Sequence, residues 1–247
     1  MSVSKYHISF IVAAVFLFTA ATNVYASTSS VGSPNVNKGE GEFSLRSSYS
    51  LDSKQDSQDR RFRSRAHIRY NFSDLYGLQI VVSQDKRKGD SYEHDGIKIE
   101  NRFHFIKSKE SGFDLGVRAS YNYEDGDKKP DSLEFGIFAL FKNSENELRL
   151  NQIFYHDVGQ DSEDGISTQT RVQYTRSLGN SYRAGVESFH DFGNLSDNLK
   201  YSEQSHSFGP VLKGKITDTT SFETGYRVGL SNEASDHIFK LFLAYSF

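Results

Sequence analysis

The side chains best equipped for chemistry are the histidines, the carboxylates beside them, and a long series of arginines and lysines. A hydrolase built on strands needs its base and nucleophile on one face, which means two residues apart. Beyond residue 26 the histidines stand in HIR, HDG, HFI, HDV, HDF, HSF and HIF, so no His-x-Ser pair occurs. Ser188 and His190 have the reverse order, and Ser205 and His206 are neighbours that point opposite ways. His156–Asp157 and His190–Asp191 are adjacent, so a strand would split each pair between its two faces. His94 between Glu93 and Asp95 could touch a cation, but hydration of an acidic loop explains the cluster better. The chain has no cysteine for a thiolate metal site and no glycine-rich phosphate loop. We therefore expect no catalytic residue, metal or cofactor, and no nucleic-acid partner. What does recur is basic residues at even spacing, clearest in RRFRSRAHIRYNF, where Arg61, Arg63, Arg65 and Arg69 share one strand face.

The elements that would position these side chains follow a period of two. After an apolar run from Ile8 to Ala21, Val24 and Ala26 give the small-residue pattern of a secretory signal peptide (1–26), cut at Ala26–Ser27. Residues 27–41, STSSVGSPNVNKGEG, show no periodicity and read as a flexible periplasmic lead-in. From 42 to 247 alternating runs fall near 42–51, 60–72, 76–87, 96–106, 112–124, 132–142, 147–158, 166–178, 181–192, 205–216, 220–230 and 237–247. Their connections alternate too: SDL, KSKES, SENE, GN and TDT on one side, and mostly longer acidic stretches such as DSKQDSQD and GNLSDNLKYSE on the other. Short periplasmic turns opposite longer external loops characterise an outer-membrane barrel. The expected fold is all-β, a twelve-stranded antiparallel transmembrane up-and-down barrel with both termini periplasmic. Mean hydropathy is only −0.59, as suits a wall with one face toward water.

Assigning faces sorts the charges. One face of each run is apolar, as in Phe113, Leu115, Val117, Ala119, Tyr121 and Tyr123. Aromatics such as Phe43, Phe72, Phe105, Phe141, Tyr182 and Phe247 gather at the short-turn ends, as in an interfacial girdle. The inner face would carry Arg46, Arg61, Arg63, Arg65, Arg69, Arg87, Lys98, Arg102, Arg118, Lys142, Arg149, Arg171, Arg183, Lys213, Lys215, Arg227 and Lys240. Fewer acids face them: Glu42, Asp85, Glu100, Asp114, Glu124, Glu134, Glu147, Asp157, Glu187 and Glu223. A positive surplus inside a low-dielectric wall favours anions. Cross-strand pairing that plugs the barrel is the alternative use of the same charges. Lumen-facing glycines such as Gly185 and Gly209 suggest open space, whereas Phe138, Leu140, Ile153 and Phe242 suggest partial filling.

The basic strand RRFRSRAHIRYNF, the strand number and the terminal Phe together resemble the oligogalacturonate-specific porin family, which includes a sialic-acid channel. That resemblance implies a channel with tracks of basic residues that passes acidic oligosaccharides. The carboxyl-terminal stretch is also similar to functionally uncharacterised outer-membrane barrels. The resulting expectation is a monomeric outer-membrane channel for small anionic solutes. Its partners would be membrane lipid, lipopolysaccharide and the barrel-assembly machinery, with Tyr245 and Phe247 as the assembly signal. The alternatives are a largely closed structural or surface-interaction barrel and, third, an outer-membrane lipid hydrolase or protease.

Overall fold

The computed structural model describes residues 28–55, 57–108, 112–125, 130–159, 162, 164–197 and 199–247; the expected signal peptide and its cut lie outside them. Among the described residues the chain forms twelve strands: β1 (Gly41–Leu51), β2 (Arg61–Asn71), β3 (Tyr76–Lys86), β4 (Glu93–Lys107), β5 (Phe113–Glu124), β6 (Asp131–Lys142), β7 (Asn146–Val158), β8 (Ser167–Gly179), β9 (Tyr182–Asn194), β10 (Ser205–Lys215), β11 (Thr220–Gly229) and β12 (His237–Ser246). Each pairs antiparallel with its sequence neighbours, and β1 closes on β12 to make a barrel. The closing seam is in register from Glu42 opposite Ser246 to Leu51 opposite His237. Closure leaves no strand edge unpaired, which is the condition for strands to survive in lipid.

Period-two alternation dictates which side chains face out. On β2, Ile68 and Tyr70 are exposed while Arg61, His67 and Asn71 are buried. On β6, Leu133, Phe135, Ile137 and Phe141 are exposed while Phe138 and Leu140 are buried. The barrel is thus inverted relative to a water-soluble domain: apolar side chains outside, charged ones inside. Its outer surface suits a hydrocarbon solvent. At the short-turn end Tyr70, Phe72, Tyr76, Phe103 and Phe105 stack in sequence with centroids 5.1–6.1 Å apart, and Phe113 meets Phe141 at 4.9 Å. A bulge between His104 and Ile106 turns two successive residues, Phe105 and Ile106, outward and leaves His104 buried. That extra residue widens the girdle where β4 leaves the barrel.

Residues 28–40 differ from the flexible lead-in expected of 27–41. From the rim, where the Gly39 amide bonds Asn71 O, the segment turns into the lumen. There Val31 and Val36 are 1% and 0% exposed. Nothing periodic marks it in the sequence because its partners are side chains of the wall and not another strand.

At the opposite end the first and last long loops are clipped together. The Ser53 hydroxyl and amide donate to Asp236 at 2.5 and 2.8 Å, and Lys54 Nζ lies 2.9 Å from the same carboxylate. These donors hold the Asp236 carboxyl well below the usual carboxylate range. A carboxyl depressed in this way stabilises the clip above its unfolded pKa (~3.9), and that contribution is lost only as pH falls through the lower folded value. Hydrogen exchange at the Ser53 amide, corrected for its intrinsic pH dependence, should therefore show equal protection at pH 4 and pH 7. Asp236→Asn should abolish that protection. Protection already falling by pH 4 would contradict the clip.

Candidate functional site

Fourteen of the seventeen basic residues assigned to the inner face border the lumen cavities, but the row on β2 does not act as a row. Arg61 is engaged by Asp85, with Nε at 3.0 Å from both carboxylate oxygens and a terminal nitrogen at 2.7 Å. Arg63 lies between Asp85 and Asp95 at 3.8 and 3.7 Å, and Arg69 bonds Glu42 at 2.8 Å. Only Arg65 of the four has no carboxylate within ion-pair distance among the described residues. The four arginines share one face, as their spacing predicts, but they are not equivalent, because acids of the neighbouring strands reach three of them.

Elsewhere the lumen holds a ladder of ion pairs. Glu100 lies 3.4 Å from Arg118 and 3.9 Å from Arg102. Lys98 bonds Glu134 at 2.7 Å. Glu147 pairs with Arg149 at 2.8 Å and Lys213 at 2.7 Å. On the other side Lys240 joins Glu187 at 2.6 Å and Glu223 at 2.7 Å, with Arg227 3.7 Å from Glu187. Where both partners are nearly inaccessible, as for Glu100 with Arg102 and Glu187 with Arg227 and Lys240, such pairs are costly to break and add little net stability. Arg46, Arg65, Arg171, Arg183 and Lys215 have no carboxylate partner among the described residues, so the surplus is concentrated in these five.

Four guanidiniums, from Arg46 on β1, Arg65 on β2, Arg118 on β5 and Arg171 on β8, line one mid-lumen cavity of about 240 Å³ together with Lys98, Glu100, Glu124 and Glu134. This is a ring across the barrel, which strand-by-strand reading could not see. Nearer the short-turn end a cavity of about 460 Å³ is lined by Arg46, Arg69, Arg102, Arg118, Arg149, Arg183, Lys213 and Lys215, with Glu40, Glu42 and Glu223. A third, of about 340 Å³, lies toward the long loops between Arg61, Arg63, Arg227 and Asp191.

The segment from residue 28 to 40 runs between these cavities and is held by the same arginines. Arg102 and Arg118 donate to the Ser33 carbonyl at 3.2 and 2.8 Å. Arg149 donates to Val31 O at 3.3 Å and Arg171 to Ser30 O at 3.2 Å. Arg46 donates to Ser30 Oγ at 2.7 Å. Asn151 brackets Gly32, accepting from its amide at 2.6 Å and donating to its carbonyl at 3.0 Å. The Val36 amide meets His104 Nδ1 at 3.3 Å.

The roles of several participants gave no sequence signal, although Phe138 was expected to fill the lumen. Phe138 and Phe189 are buried inside, each under a guanidinium carbon at 3.8 Å, Arg118 and Arg227 respectively. Only the register shows that each aromatic leans over a cation of a nearby strand, Phe138 on β6 over Arg118 on the paired β5 and Phe189 on β9 over Arg227 on β11. Asn151 looks like any polar strand residue until its amide is seen on the Gly32 backbone. The glycines also serve a different purpose from the open space suggested above. A methyl at Gly185 or Gly209 would strike the carbonyl of Tyr174 or Tyr226 on the neighbouring strand, so these glycines permit close strand approach. Ser188 and His190 lie on the outer face beside Val186, and His190 Nδ1 is 3.1 Å from His206 Nδ1. His94 faces Asp125 at 3.3 Å.

No protein-family model and no curated protein sequence matches the chain. Its fold is similar to that of several solved barrels. An outer membrane channel from Pseudomonas putida F1 aligns with a TM-score of 0.66 at 9% identity, over 89% of this chain and 100% of that one. The KdgM porin in complex with disordered oligogalacturonate aligns at 0.60 with 11% identity, over 83% of this chain and 99% of that one. The KdgM porin alone aligns at 0.59 with 12% identity, over 83% and 99%. The barrel fold is thus similar to that of solved outer-membrane porins and channels.

Proposed function

We propose that the protein is an outer-membrane channel for small anionic solutes. The observation that carries this reading is the cluster of Arg46, Arg65, Arg118, Arg171 and Lys98 at the mid-lumen cavity, which outnumbers Glu100, Glu124 and Glu134 there and in which Arg46, Arg65 and Arg171 have no carboxylate within ion-pair distance among the described residues. A positive ring inside a low-dielectric wall attracts anions, and several shared cations let an ion leave again. The fold shared with the KdgM porin, crystallised with oligogalacturonate, supports acidic oligosaccharides as the larger members of the solute class. The test is planar-bilayer recording in a salt gradient, and the expected reversal potential has the anion sign. A second reading, a largely closed structural or surface-interaction barrel, is favoured by the ion-pair ladder and the segment in the lumen. It requires silence even after that segment is removed. Among the described residues no arrangement of nucleophile and base favours a lipid hydrolase or protease.

In this reading the apolar belt meets lipid and lipopolysaccharide, the barrel works as a monomer, and cleavage at Ala26–Ser27 precedes assembly. Both termini then lie in the periplasm, so an epitope inserted at Ser196, in the connection between β9 and β10, should be labelled on intact cells. One inserted at Asn180, in the tight β8–β9 turn, should not. Labelling only at Asn180 would invert the orientation.

Phe247 exchanges two backbone hydrogen bonds with Gly41, at 2.9 and 3.0 Å, and stacks on Tyr245 with centroids 6.5 Å apart. It therefore locks the last rung of the seam and offers an aromatic end to the assembly machinery. Deleting Phe247 should lower the amount of heat-modifiable folded barrel in the outer membrane severalfold while export continues. Wild-type levels would refute the assembly role.

A further inference from the structure

Residues 28–36 occupy the places where an anion would bind. Three of their carbonyls accept from four guanidiniums: Ser33 O from Arg102 and Arg118, Val31 O from Arg149, Ser30 O from Arg171. The segment has no regular secondary structure, so its acceptors present themselves to the wall one residue after another. From this geometry we infer that residues 28–36 form a displaceable plug, and that the ligand which displaces it is a linear oligocarboxylate competing for the same arginines. The inference rests on the channel reading above and adds how the channel opens and what opens it.

Three observations support displacement over a permanent seal. First, neutral carbonyls are poor occupants for guanidiniums. A carboxylate forms charge-assisted and often bidentate bonds, roughly twice as strong as those to a neutral acceptor. Second, arginines around the segment keep spare donors: the Nε atoms of Arg69 and Arg118 are buried without a hydrogen-bond partner among the described residues. A planar fork left half used is suited to a planar ligand. Third, the cavity of about 460 Å³ beside the plug is bordered by both the segment, at Ser30 to Ser33, and eight basic side chains. A ligand can therefore reach the guanidiniums from that cavity before the carbonyls leave, exchanging partners one at a time. A single carboxylate replaces one bond only. Several carboxylates on one chain replace the series, so chain length should matter.

What opposes displacement is equally specific. Val31 and Val36 lose their burial, and Asn151 loses both bonds to Gly32. The plug is then poised, narrowing the lumen without ligand and clearing it with ligand, because the ligand binds the displaced state more tightly than the seated one.

The cysteine-free sequence makes a direct test available. Val31→Cys places a thiol of similar bulk on a side chain that is 1% exposed, leaving the carbonyl that Arg149 holds in place. Maleimide labelling of the folded full-length variant in micelles should be slow, should rise by about tenfold or more with hexaglutamate, and should not change with hexaglutamine. Glutamate monomer at equal carboxylate concentration should be much less effective. No acceleration by hexaglutamate, or equal acceleration by hexaglutamine, overturns the inference. Conductance of a variant lacking residues 28–36 separates this failure from that of the channel reading. If that variant conducts anions while the thiol ignores hexaglutamate, the channel stands and ligand displacement falls. If the folded variant is silent, the channel reading falls with it. A variant that does not fold leaves the thiol measurement on the full-length chain to decide the inference.

Discussion

Glu187→Ala is expected to be the most destabilising single substitution in the lumen. The Glu187 carboxylate is fully buried. It accepts from Lys240 Nζ at 2.6 Å and Gln173 Nε2 at 3.3 Å, and lies 3.7 Å from Arg227. Removing it leaves two nearly inaccessible cations facing one another across a void. Breaking a buried pair by deleting one partner costs ~3–5 kcal/mol. The lower end applies here, because Glu223 still binds Lys240 at 2.7 Å and Phe189 still covers Arg227 at 3.8 Å. The unfolding midpoint in urea, followed by heat-modifiable mobility, should fall markedly. Glu187→Gln, which keeps an acceptor and the volume, should fall less. Equal midpoints for the wild type and Glu187→Ala would mean that the cluster is solvated and not a structural core.

The second large effect separates two arginines that the sequence makes look alike. Arg65 borders the mid-lumen cavity without a carboxylate partner among the described residues, whereas Arg61 is clamped by Asp85. Arg65→Gln should therefore reduce anion selectivity while leaving folding intact. A unit charge about 4 Å from an ion's path is worth ~1 kcal/mol in a water-like medium and more in a drier one. That corresponds to a change of about fivefold or more in relative permeability. Arg61→Gln should do the reverse, lowering stability by leaving Asp85 with only Arg63 and Arg87 at 3.8 and 3.4 Å, with little change in selectivity. Raising the salt should shrink the Arg65 effect, since the Debye length falls from about 10 Å at 0.1 M to about 3 Å at 1 M. A selectivity loss confined to Arg61→Gln would place the ion path along the wrong side of the lumen.

These two arginines also mark how far the sequence could be read. Period-two alternation placed Arg61, Arg63, Arg65 and Arg69 on the inner face, and the strand ends agree with the sequence reading to within about three residues. Both follow from local rules: alternation sets the face, and turn residues set the ends. What local rules omit is the partner across the barrel. Asp85 stands opposite Arg63 in the register between β2 and β3, and Arg46 on β1 and Arg171 on β8 border one cavity only because the sheet closes. The segment 28–40 was the larger gap. A strand announces itself by alternation, but a strand-less segment whose carbonyls are bound by Arg102, Arg118, Arg149 and Arg171 carries no periodic mark. Its small polar residues look the same in a lumen as in a loop. The buried valines Val31 and Val36 were the only trace, and two apolar residues five apart fit no element.

The reversal potential in a tenfold potassium chloride gradient tests anion conduction most directly, recorded for the full-length protein and for the variant lacking residues 28–36. Both should reverse on the chloride side of zero, and the deleted form should carry severalfold more current per channel, since the same arginine ring then faces an unobstructed path. A folded deletion variant that is silent, or one that reverses on the potassium side, would contradict an anion channel and leave the barrel a closed structure.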